Sequence, residues 1–182
     1  MASFTPSAVG YPNLLSRNKS FLMANDTSLR KHVLNLLGGG QAHLTFEAAV
    51  KNVPVALRGK RPKGVEHSPW EILEHMRIAQ WDILEFSRDS KHVSPQWPAG
   101  YWPKTKAPPN AKAWSQSVRA FLADLEAMRR LVADESTDLF AAIPHGDGQT
   151  ILREALLVAA HNSYHIGEMV LVRRLLGAWP ER

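Results

Sequence analysis

Apolar residues recur along this chain at spacings of three and four, never in the strict alternation of a half-buried strand. The densest such segment is Gln149 to Gly177, which has no proline and a single internal glycine, Gly167. As a helix it would be roughly 40 Å long. Its Leu, Ala, Val, Ile and Met occupy almost the whole circumference, which predicts a central helix with neighbours on several sides. Three shorter amphipathic segments precede it. Asp26 or Thr27 caps the first, which carries Leu29, Val33, Leu36 and Leu37 on one stripe and ends at Gly38-Gly39-Gly40. Ser68-Pro69-Trp70-Glu71 opens the second: Ser caps, Pro takes the first helical position and Glu completes a capping box. That helix runs to about Ser87, with Ile72, Met76, Ala79 and Ile83 on its apolar face. The third spans Ala111 to Ala133, where Trp114, Val118, Phe121, Leu125, Met128 and Val132 form one seam. Thr45 to Val53 adds a short helix or a helical continuation, closed by Pro54.

Between helices two and three, residues 88–110 hold five prolines together with Trp97, Tyr101 and Trp102. Helix and strand are excluded at that proline density, so the stretch is a long ordered connection. Its aromatics either glue the loop to the domain or serve the function, as loops of this length often do. A crossover this long lets helices two and three run parallel. The expected fold is therefore all-α, a four-helix bundle with a long crossover between helices two and three. Residues 1–25 contain no acid and mix Ser, Pro, Asn and Gly, which reads as an irregular N-terminal arm ahead of a single domain over 26–182.

Composition changes this picture little. A chain of 182 residues can bury a full core. The absence of cysteine removes disulfides, thiolate zinc sites and a protein-borne thiol nucleophile, and it fits the cytoplasm, the expected location. No apolar run suits a membrane span. The formal charge of +5 is densest at Arg58, Lys60, Arg61 and Lys63, in a Gly/Pro context that reads as a solvated surface. Nucleic acid is accordingly not the expected partner.

Candidate chemistry lies on the last helix. His161 and His165 are four residues apart and so stack on one face, and Glu168 continues the stripe. Such a pair either binds a metal or sits in the core hydrogen-bonded to a carbonyl or carboxylate. His75, one turn or more into helix two and beside its apolar face, is the candidate third ligand; Glu71 and Asp82 share its stripe.

SPWEILEHMRIAQWDIL together with HNSYHIGEMVLVRRLLG resembles the DinB/YfiT-like superfamily, whose members are described as metal-dependent hydrolases. The resemblance covers Ser28 to Gly177. It implies a divalent metal, zinc or nickel, held by His75, His161 and His165; His32, His43, His67, His92 and His145 match nothing in its pattern. It also implies a small-molecule substrate, a thiol as possible cosubstrate, and a homodimer through a helix face. Many relatives carry Gln where this chain has Glu168, which leaves that carboxylate as spectator, extra ligand or proton acceptor. The expectation is that Glu168 acts on the site from behind the ligands, its rival a surface ion pair with Arg173 or Arg174. Three neutral imidazoles leave coordination positions open, the pattern of a catalytic ion. The function expected is metal-assisted hydrolysis or thiol transfer. A non-catalytic ligand- or partner-binding bundle and a stress-linked nucleic-acid-associated protein are the alternatives.

Overall fold

The computed structural model describes the backbone of residues 14–180 and side chains from residue 26 to 180. Four long helices, α1 (Leu14–Gly38), α3 (Pro69–Arg88), α4 (Ala113–Ala133) and α5 (Ile151–Leu175), form the bundle, and α2 (Phe46–Val50) packs beside α5. Among the described residues no helix is long and apolar enough to cross a membrane.

Local chemistry accounts for most of the helix ends. The capping box at α3 is complete: Ser68 Oγ accepts from Glu71 N–H, Glu71 accepts from Ser68 N–H, and Pro69 opens the helix. Thr150 caps α5 through Arg153 N–H. Asn110, not a residue at the helix start, receives the first N–H groups of α4, and the helix begins at Ala113 rather than Ala111. The short α2 stops at Val50: Lys51 leaves the helix with ψ 132°, and Asn52 then turns left-handed at φ 58°.

The largest departure from expectation is at the N-terminus. Helix α1 begins at Leu14, so residues 14–25, expected as irregular arm, are helical; the remainder of that arm lies outside the described residues. The stretch from Leu14 to Asn25 contains neither Pro nor Gly, so nothing in it breaks a helix. Asp26, the expected cap, sits inside α1 and accepts from Arg30 Nε one turn on at 2.7 Å. Arg30 in turn donates to the carbonyls of Val132, Asp134 and Thr137, tying α1 to the last turn of α4.

Contacts fix the directions. Trp70 lies by Ala113, Gln80 Nε2 donates to Phe121 O at 2.7 Å, and Leu84 shares a core with Met128 and Val132. Both numbers rise together, so α3 and α4 run parallel, as the long crossover allows. Along α5 the order reverses: His75 faces His165 and His161, and Leu84 shares its core with Ala155 and Val158. Three apolar clusters result, the smallest of Leu139, Ile143 and Ile151. Of the two larger, one gathers Trp70, Leu73, Met76, Phe121, Ile166 and Met169, the other Val33, Leu84, Met128, Val132 and Val158. Between them lies a polar layer of His75, Gln80, His161, Asn162 and His165, with Asn162 Nδ2 donating to Gln80 Oε1 at 2.8 Å. Helix α5 does meet all the other helices, but it is not enclosed: Tyr164, Leu171 and Leu175 stay exposed along one stripe.

The crossover is ordered by α3 itself. Buried Asp82 accepts from Tyr101 Oη at 2.6 Å and pairs with His92 Nε2 at 2.7 Å. Burial and then the Asp82 hydrogen bond push the Tyr101 phenol up to about 12. A single 3₁₀ turn, Ala99–Tyr101, forms within the proline-rich stretch. Asp82→Asn removes the charge from both bonds and should cost about 1.5–3 kcal/mol. Urea unfolding with an unchanged m-value checks this, and a variant as stable as the parent would deny Asp82 that anchoring role.

Candidate metal centre

Helix periodicity brings His161 and His165 to the α3-facing side of α5, and the antiparallel course of α3 sets His75 opposite them. The ring centroids lie 4.5–5.0 Å apart, and one ligand atom from each imidazole falls within 4.8 Å of the others. His75 and His165 are buried, and His161 is partly so. The three expected histidines therefore converge.

Hydrogen bonds on the outer nitrogens assign the tautomers. His75 Nδ1 faces the carbonyl of Tyr101 at 2.9 Å, and a carbonyl only accepts, so Nδ1 carries the proton. His165 Nδ1 likewise donates to Glu168 Oε2 at 2.7 Å. Both Nε2 atoms are left as bare lone pairs. His161 Nε2 lies 3.1 Å from His75 Nε2, while its Nδ1 is buried with no hydrogen-bond partner. Because His75 Nε2 is bare, neutral His161 meets it by donating its Nε2–H, which leaves its own buried Nδ1 without a partner; a cation between the two rings would take that proton's place. A cation fits this donor set: inward-facing neutral imidazoles, outer N–H groups held by a carbonyl and a carboxylate.

Electrostatics favour the neutral form of His161 and His75. Burial, and then the neighbouring His165 and His75, lower the His161 imidazole to about 3. Burial also lowers His75, against the pull of its bond to Tyr101. Burial works to raise the Glu168 carboxyl, but hydrogen bonds from His165 and His67 outweigh it and hold the group below the usual carboxylate range.

Glu168 touches neither Arg173 nor Arg174. Arg173 is buried and donates to the carbonyls of Ala49 and Ala178, and Arg174 lies over Trp179. Glu71 is held by Arg61 at the start of α3, and Asp82 serves the crossover, so neither reaches the centre.

Two neighbours escaped the sequence reading. His67 Nδ1 stands 3.3 Å from Glu168 Oε1, and Trp102 stacks on both His75 and His67 with centroids 4.0 and 3.9 Å away. The capping box placed His67 just ahead of α3, but no periodicity shows where a residue before a cap points. The aromatics of the crossover thus divide. Tyr101 and Trp102 hold His75 by backbone and ring, whereas Trp97 is largely exposed.

A family model described as the DinB superfamily matches residues 41–169, which is most of the chain and includes all three histidines. No curated protein matches the chain. No solved structure does either.

Proposed function

The chain belongs to the DinB superfamily, and on that premise we propose that it is a metal-dependent enzyme in which His75, His161 and His165 hold a divalent ion, zinc or nickel, for hydrolysis or thiol transfer on a small molecule. The observation that carries this reading is the convergence of three imidazoles whose ligand atoms lie within 4.8 Å of one another. An ion bound there supplies a Lewis acid that lowers the pKa of water or of a low-molecular-weight thiol at neutral pH.

The rest is the work of the chain. Tyr101 O and Glu168 keep protons on the outer nitrogens of His75 and His165, so that both Nε2 lone pairs face inward. Trp102 covers one face of His75 and keeps water from it. Glu168, ionised at neutral pH, is the proton acceptor in this reading: Oε1, which partly exposed His67 Nδ1 also faces, takes the proton that the nucleophile releases.

Metal analysis of protein purified without a metal column tests the reading. The expected result is a divalent ion in stoichiometric amount, with turnover of a thiol or ester probe lost on chelation and restored by reloading. Chelator-treated protein that takes up neither zinc nor nickel would end it.

A further inference from the structure

The net charge is concentrated in two segments of the chain. Residues 58–71 carry Arg58, Lys60, Arg61 and Lys63 against Glu66 and Glu71, and residues 102–112 carry Lys104, Lys106 and Lys112 against no acid. Together they hold a net +5, equal to that of the whole chain, so all other residues balance. The two segments are distant in sequence and joined in space. Ser68 Oγ donates to Lys106 O at 2.6 Å, and Trp70 Nε1 donates to Thr105 Oγ1 at 3.3 Å. Gly59 backs onto Ala107 so closely that a Cβ there would lie 2.4 Å from the alanine methyl.

This cationic pair of loops adjoins the histidine cluster. Arg61, Glu66, His67, Glu71, Trp102 and Pro103 line a cleft of about 490 Å³, within the size range of small-ligand sites. Two of these residues reach the cluster, Trp102 by stacking on His75 and His67 through Glu168. Of the two carboxylates in the wall, Glu71 is neutralised by Arg61. The five lysines of the loops are exposed, and none has an ion-pair partner among the described residues.

We propose that the small molecule processed at the metal centre is an anion, carrying a carboxylate or phosphate, and that these two loops draw it into the cleft beside Trp102 and His67. The inference rests on the metal-dependent reading above. A patch of one sign around a cleft with low-dielectric walls raises the local concentration of the opposite charge. Salt screens that attraction beyond about 8 Å at physiological ionic strength, so the preference must fade as salt rises. A cleft of this size admits a small molecule and not a duplex.

The test uses cobalt-loaded protein, whose visible spectrum responds to thiol binding, titrated with 3-mercaptopropionate and with 2-mercaptoethanol. These probes differ chiefly in carboxylate against hydroxyl. At low salt the anionic thiol should saturate the spectral change at about tenfold lower concentration, and the gap should close at high salt. In the triple variant Lys60→Glu, Lys104→Glu, Lys106→Glu the gap should vanish while cobalt affinity holds. Equal binding of the two thiols at low salt, or a gap that survives charge reversal, overturns the proposal and leaves the metal reading standing. A protein that gives no cobalt spectrum at all refutes the metal reading, and this inference with it.

Discussion

His161→Ala should abolish stoichiometric metal binding and leave the fold intact. His161 supplies one of three nitrogens, and two imidazoles from different helices do not make a closed donor set. The loss should exceed the 10–100-fold typical of removing an outer hydrogen-bond partner, so about 100-fold or more in affinity. His75→Ala and His165→Ala should behave alike, but His161 is the more telling position. Its Nδ1 is buried without a partner and its imidazole is held down to about 3, so in the metal-free protein it is a burden on the fold. The sign follows from linkage. Below 6.5 an unfolded imidazole takes up a proton that folded His161 refuses until about 3, so stability is full above 6.5 and declines as pH falls through that window. Metal-free His161→Ala should therefore resist acid better than the metal-free parent while failing to bind metal. Competition against a chromophoric chelator measures the first effect and acid unfolding the second. Undiminished metal affinity in the variant would remove His161 from the ligand set.

The parts legible in the sequence were those governed by local chemistry or helical period. The capping box at Ser68, the seam of α4 and the stacking of His161 over His165 need no tertiary knowledge, and all three appear in the fold. The parallel course of α3 and α4 was made possible by the length of the connection, since a short turn would have forced them antiparallel. What stayed hidden depends on where irregular backbone travels. Trp102 covers His75 next to the point where Tyr101 Oη is hooked to Asp82, a contact between positions 19 apart that no periodicity encodes. The start of α1 was hidden for another reason. Asp26 is a good cap by type, but a good cap begins a helix only when something upstream stops one, and the preceding segment has no breaker. The exposed stripe of α5 shows the limit of apolar content as a measure of burial: four neighbours cover most of a helix's circumference, not all of it.

Glu168→Gln should leave metal bound at full stoichiometry while lowering its affinity by about 10–100-fold. The carboxylate accepts the Nδ1 proton of His165 at 2.7 Å, which fixes the tautomer and makes the opposite nitrogen a stronger donor to a cation. A glutamine amide preserves that bond's geometry but not its charge, so the ligand stays oriented and loses basicity. His67, 3.3 Å from the other oxygen, loses a charged partner at the same time. The direction of the pKa shift sets the pH behaviour. Because hydrogen bonds hold the Glu168 carboxyl below the ordinary carboxylate value of 4.5 in spite of burial, it is ionised throughout the neutral range. Its contribution is present above that ordinary value and disappears only as pH falls through the shifted one. The gap between parent and variant should accordingly be constant across neutral pH rather than titrate there. If Oε1 also accepts the proton of the nucleophile, the rate with a thiol or ester probe falls further than metal affinity does, even when the variant is saturated with metal. Complete loss of metal would make Glu168 a ligand in its own right. Affinity and rate that both match the parent would reduce it to a partner of His67 at the surface.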